Sequence, residues 1–166
     1  QVQSDIKSNE ITAIPELLAL LDIEGLTVTI DAIGCQKAIV ERIVTKNKAD
    51  YVIGLKGNQG NMHRNFSLYA EDCLADPGMR DKYTHVRTVE KGHGRIEKRD
   101  YYLFSDLSWY PERKDWKKLN SVVMVKSMRE VIGQEPSHET RYYISSLTDV
   151  EKAAKAIRSH WGIENK

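Results

Sequence analysis

The sequence contains no apolar run approaching the ~20 residues that a membrane-spanning helix needs, so no membrane partner is expected. Cysteine is scarce. Cys35 and Cys73 are the whole complement, without the count or spacing of a disulfide framework or a zinc site, and this suits a reducing cytoplasm. A surplus of one charge is also missing: 25 Lys+Arg residues face 24 Asp+Glu, for a net charge of +1. Any nucleic-acid contact must therefore come from local clustering rather than from the field of the whole chain. No Met opens the chain, no charged-then-apolar leader follows Gln1, and Lys166 falls inside a helical pattern, so both ends read as cuts. Repeats and low-complexity stretches are absent. What remains is an ordinary globular composition, 40% hydrophobic and 30% charged over 166 residues, enough for one domain with a real core.

Apolar periodicity divides the chain into two halves of different character. Ile11, Ile14, Leu17, Leu18 and Leu21 predict a short amphipathic helix over 10–22, with Ser8 or Thr12 available as its cap and Pro15 tolerable only in its first turn. Leu26 to Asp31 alternates as a strand, 36–47 returns to helical spacing, and Tyr51 to Leu55 is a second strand. The 32–50 connection is long enough for a right-handed parallel crossover, which sets Asp31 and Lys56 at the same edge. A helix over 61–75 follows, through Met62, Phe66, Tyr69 and Cys73. From 83 to 147 the pattern turns to consecutive extended segments, read as hairpins over 83–104 and 120–146. Thr148-Asp149-Val150-Glu151 then reads as a capping box opening a last helix.

Several residues carry chemical interest. Asp31 ends an apolar, Thr-lined strand, and in an open α/β sheet ligands gather at the carboxyl ends of strands; the same carboxylate could instead cap the following turn. Glu164 comes seven residues after Ile157 and three after Trp161, which at ~100° per residue places it on the apolar face of its helix. A carboxylate there needs a partner, either a metal ion or a basic side chain. Lys56, Gly57, Asn58 and Gln59 form a short loop suited to a phosphate, or simply a polar turn. Basic residues cluster in 83–104 (Arg87, Lys91, Arg95, Lys98, Arg99) and in 109–118 (Arg113, Lys114, Lys117, Lys118, beside Trp109 and Trp116). Glu90, Glu97, Asp100, Glu112 and Asp115 dilute both clusters, so a solvated face competes with a DNA-binding one. A flavodoxin-like small-molecule module would also contain the parallel crossover, but no glycine-rich phosphate loop opens a helix here.

Longer motifs decide among these readings. Thr29-Ile30-Asp31-Ala32-Ile33-Gly34-Cys35-Gln36, the segment from Ala49 to Gln59, and His160-Trp161-Gly162-Ile163-Glu164-Asn165 resemble the H-repeat-associated branch of insertion-sequence DDE transposases. Lys7 to Thr12 and Gly92-His93-Gly94-Arg95-Ile96-Glu97 match the same branch, so the resemblance spans nearly the whole chain. It implies an α/β, ribonuclease-H-like mixed sheet with flanking helices, truncated at the N-terminus. Residues 1–82 and 148–166 would form the partial core, and 83–147 a β-rich insertion before the last helix.

The resemblance further implies two Asp and one Glu holding two Mg²⁺ (or Mn²⁺) ions, with Asp31 the second Asp, Glu164 the Glu, and the first Asp upstream of Gln1. Metal occupancy is then expected to be weak or absent in this fragment, and cleavage undetectable. In the intact protein the implied activity is cleavage of transposon DNA ends and strand transfer into target DNA, by a homodimer in the nucleoid-containing cytoplasm of a bacterium. The implied contacts to double-stranded DNA are Lys56, Asn58, Gln59, Arg95, Lys98, Arg99, Arg158 and His160. Ile157 and His160 stand where related transposases carry Tyr and Arg on this helix. The alternative is a catalytically inactive DNA-binding remnant of a decayed transposase, distinguished by whether a strand ending in Asp lies upstream.

Overall fold

Six strands form one mixed sheet in the order β1-β2-β6-β5-β4-β3, in a computed structural model that describes the backbone of residues 2–164 and the side chains of 9–160. The elements are α1 (Val2–Leu20), β1 (Thr27–Ile30), α2 (Lys37–Thr45), β2 (Asp50–Leu55), α3 (Gly60–Ala75), β3 (Thr84–Gly92), β4 (Arg95–Phe104), β5 (Ser121–Val131), β6 (Ser137–Ser145) and α4 (Val150–Glu164). β1 and β2 are parallel, from Thr27↔Asp50 to Ile30↔Ile53, as the crossover through α2 requires. β6 then runs antiparallel to β2. The two hairpins, expected as a β-rich insertion, thus continue the sheet of β1 and β2 and do not form a sheet of their own. No described helix is long and apolar enough to cross a membrane.

Strand alternation sends each strand's residues to two cores. One core joins α2 and α3 to the sheet through Ile39, Ile43, Tyr51, Ile53, Phe66, Phe104 and Ile144. The other lies beneath α4 and is built of Val52, Tyr101, Val123, Val125, Tyr143, Ala153 and Ile157. Since α4 touches both outer strands, β1 and β3, the sheet curls around this helix. Cys35 and Cys73 are fully buried in the first core. Burial pushes the Cys35 thiol up to about 12 and raises Cys73 as well. Because the thiolate is the nucleophile, neither cysteine should react with a disulfide reagent at pH 8 in the native protein, and both should react in guanidinium. Fast native labelling of Cys35 would contradict this packing.

Two local expectations differ from the structure. α1 begins at Val2, so Ser8 and Thr12 lie inside it rather than cap it, and Pro15 is interior. The missing Pro N–H leaves the Ile11 carbonyl without its usual helical donor. Among the side chains described in this helix, Leu18 is buried, whereas Leu17 and Leu20 are exposed. At α4 the cap is Asp149 rather than Thr148, its Oδ1 accepting from the Glu151 and Lys152 amides at 2.9 and 3.2 Å. A carboxylate one residue later fits the orphan amides of a helix that starts at Val150.

Strand lengths create the feature that matters for function. β6 pairs with β2 only from Ser145 to Tyr142, so its residues 137–141 run on past Leu55, about 17 Å beyond the carboxyl edge of β1 and β2. β5 stays in register with this extension as far as Arg129↔Ser137, and β4 and β3 continue it. The outcome is a four-stranded ledge projecting beside Asp31.

Candidate functional site

Asp31 sits at the corner between the sheet edge and the ledge. Its Oδ1 accepts from the Ala32 amide at 2.7 Å, opening the single 3-10 turn Ala32–Gly34. This is the capping role that competed with a ligand role. Capping engages one oxygen, however, and the side chain stays 61% exposed, with Lys56 Nζ 3.6 Å away. Gly54 on β2 allows the turn to cross: a Cβ there would lie 2.9 Å from the Ala32 nitrogen. Asn58 Nδ2 donates to the Ala32 carbonyl and Gln59 Nε2 to the Cys35 carbonyl, each at 2.8 Å. The loop after β2 is thus tied to the loop after β1. Asn58→Ala removes one such bond, and should cost about 1 kcal/mol and lower the melting temperature by roughly 2–4 °C, as read by calorimetry.

His160 approaches from α4, its Nδ1 3.3 Å from the Thr29 hydroxyl. Thr29 lies two residues before Asp31, which continues the extended backbone one residue past β1, so the two share a face. A hollow of about 160 Å³ is lined by Asp31, Gly54, Lys56, His63, Arg141 and His160, among others. Arg141 projects from the ledge, its Nε donating to Glu139 Oε1 at 2.8 Å. The sequence reading did not single out His63, Glu139 or Arg141. Their approach depends on β6 pairing with β2, which no local pattern in 120–146 discloses.

The other expected contacts separate by face. Arg95 and Arg99 lie on the α4 side of β4, and Lys98 on the opposite side. Arg99 is 7% exposed, clasped by Glu97 and 3.5 Å from Glu90, while Arg95 lies 3.3 Å from Glu97. Arg158 forks Glu90 with two bonds of 2.7 Å. The side chain of Glu164 lies outside the described residues, although its backbone belongs to α4.

The Arg158–Glu90 bridge pins α4 to β3 and carries a pH signature. The hydrogen bonds from Arg158 hold Glu90 below the usual glutamate range, outweighing its partial burial, and Arg158 is raised in return. A depressed acid adds stability that is complete above its unfolded value of about 4.3 and is lost as pH falls through the folded one. Protection of α4 amides, corrected for intrinsic exchange, should therefore fall below pH 4 in the native protein. It should be largely insensitive to that change in Arg158→Gln.

Comparison with known proteins now bears on this site. The transposase DDE domain family matches residues 1–166. An uncharacterized protein in the dhlA 3' region of Xanthobacter autotrophicus is 46% identical over 89% of the chain and 48% of its own length. The Escherichia coli (strain K12) protein named "H repeat-associated putative transposase YhhI" is 42% identical over 100% of the chain and 44% of its own length, and YbfL of the same organism is 43% identical with the same coverage. The chain belongs to the transposase DDE domain family, in its H-repeat-associated branch. It spans less than half the length of these relatives. No solved structure matches it.

Proposed function

We propose that the chain is the central-to-C-terminal part of a transposase catalytic domain that cleaves transposon DNA ends and transfers the strand into target DNA once the rest of the domain is present. The observation that carries this reading is Asp31, an exposed carboxylate just past the carboxyl end of β1, flanked by Lys56 and sharing a hollow with His160 of the helix that bears Glu164. The Thr29–His160 contact sets the phase. From His160 to Glu164 α4 advances about 6 Å, and from Thr29 to Asp31 β1 advances about 6.6 Å. Both elements run toward the same edge, so in this reading Glu164 would come one turn further along, on the side of Asp31.

In this reading β1, β2 and α4 are part of a ribonuclease-H-like core spread over 1–82 and 148–166, with 83–147 as its β-rich insertion. β1 is an outer strand of the described sheet, which leaves an edge for further strands and for the first Asp. The donor chemistry suits Mg²⁺ or Mn²⁺, since carboxylate oxygens are hard ligands. In this reading Asp31 and Glu164 would supply part of the ligand set and the first Asp would complete it. A bound ion pair would activate the attacking oxygen and stabilise the leaving one. Lys56 and His160 would hold the phosphate at the edge, and exposed Arg95 and half-buried Lys98 would contact duplex DNA on the ledge. Asn58 and Gln59 would fix the loop that presents Lys56, and Arg99 and Arg158 would hold the charged face together.

The test is metal-dependent nicking of DNA carrying the element's ends. The whole protein, extended to the length of its relatives, should cleave, and residues 1–166 alone should not. Cleavage by this chain alone, at a rate comparable to the whole protein, would refute the division of the site.

A further inference from the structure

A second hollow, of about 440 Å³, opens near the start of β5, and its lining includes Arg113, Lys114, Lys117, Lys118, Ser105 and Thr148 but no Asp or Glu. This is the edge opposite Asp31: Asn120 N–H donates to the Ser145 carbonyl, and Lys118 pairs with Asp50 at the start of β2 at 3.0 Å. The platform is built rather than loose. Trp116 is 4% exposed, and the Tyr51 hydroxyl donates to the Lys117 carbonyl at 2.9 Å.

The nearby carboxylates each have a partner, and one of them, Asp50, takes up Lys118 of the lining itself. Asp50 is held by Lys118 and the Ser146 hydroxyl, Glu112 by the Tyr110 hydroxyl, and Asp149 by the amides it caps. Asp115 faces Lys37 at 4.0 Å. Arg113, Lys114 and Lys117 are exposed and form no ion pair among the described residues. On the ledge and the helix bridged to it, by contrast, Arg87, Arg95, Arg99, Arg129 and Arg158 each face a carboxylate. Three like charges gathered without a paired counterion of their own raise the local potential and attract an anion.

We propose that this hollow is a second phosphate-binding site, which takes the backbone of a duplex DNA segment separate from the one at Asp31. The proposal rests on the transposase reading for the identity of the polyanion. Arg113, Lys114 and Lys117, with the Ser105 and Thr148 hydroxyls, offer the ammonium, guanidinium and hydroxyl donors that contact phosphate oxygens. Burial of Trp116 removes the stacking platform that a single strand would use. β2, of six residues, puts about 20 Å between the two edges, so a phosphate cannot serve both.

The experiment uses the full chain and a duplex of about 8 base pairs, comparing the native protein with the triple substitution Arg113→Gln, Lys114→Gln, Lys117→Gln. All three side chains are exposed, and the Lys117 carbonyl is unchanged, so an equal melting temperature is expected. In the native protein, amide resonances of Ser105, Trp116 and Thr148 should shift on adding DNA. In the variant those shifts should vanish while shifts around Lys56 persist, and the slope of log affinity against log salt should shrink by about 2 to 3. Shifts confined to the Lys56 edge would overturn the second site and leave the transposase reading standing. Shifts at neither edge would overturn both. An acidic peptide of equal charge displacing the duplex from the hollow at equimolar concentration would also overturn it.

Discussion

Asp31→Asn in the whole protein should reduce cleavage of element ends on the order of 1000-fold, about 4 kcal/mol of transition-state stabilisation, with DNA affinity unchanged or slightly raised. The asymmetry follows from the two jobs of this side chain. As a cap, Asn serves as well as Asp, and its Oδ1 can still accept from the Ala32 amide, which Asp31 does at 2.7 Å, so the turn and the melting temperature should persist. As a metal ligand, it loses the charge and one of the two oxygens that a hard divalent cation requires. Removing a carboxylate 3.6 Å from Lys56 also frees that ammonium for phosphate. Glu164→Gln should give the same split between cleavage and binding. Retention of more than a tenth of the cleavage by Asp31→Asn, or loss of DNA binding in step with cleavage, would sink the assignment.

How far the sequence disclosed this site depends on the range of the interaction involved. Asp31 and Lys56 were legible because both follow from adjacent periodic segments: two strands joined by a helical crossover must run parallel and end together. The hairpins were legible for the same reason, through turn residues that the structure shows with positive φ at His93, Gly94 and Gly133. Which strand would border β2 was not, since alternation assigns a residue to a face but names no neighbour. Arg141 therefore reaches the Asp31 hollow unannounced. Arg99 shows the converse. Its sequence context suggested a surface cation, whereas Glu97 and Glu90 hold it nearly buried. Charge patterning cannot distinguish a guanidinium waiting for a phosphate from one already paired. α1 was misjudged at its start because its first turns carry only Val2 and Ile6 among polar residues, too short an apolar pattern to read.

The second large effect is expected at Gly54, a position whose importance lies in space rather than in backbone conformation. Gly54 pairs with Tyr143 of β6 and faces the Ala32–Gly34 turn, where an added Cβ would meet the Ala32 nitrogen at 2.9 Å, Cα at 3.4 Å and Cβ at 3.5 Å. The nearest atom is backbone, held from the other side by Asn58 on the Ala32 carbonyl and by Asp31 on the Ala32 amide. The turn cannot yield without moving Asp31. Gly54→Val should destabilise the protein by about 1–3 kcal/mol, seen as a drop in melting temperature of roughly 2–12 °C, and Gly54→Ala by less. In the whole protein, Gly54→Ala should still lower cleavage by at least about tenfold, because displacements near 1 Å are costly to reacting geometry, while leaving DNA affinity intact. Gly57 is the matched control: nothing lies within 4 Å of a Cβ there. Gly57→Ala should therefore be neutral, or stabilising by about 0.4–1 kcal/mol through the unfolded chain. If Gly54→Ala instead behaves like Gly57→Ala in both melting and cleavage, the close crossing of β2 by the Asp31 turn does not control the site.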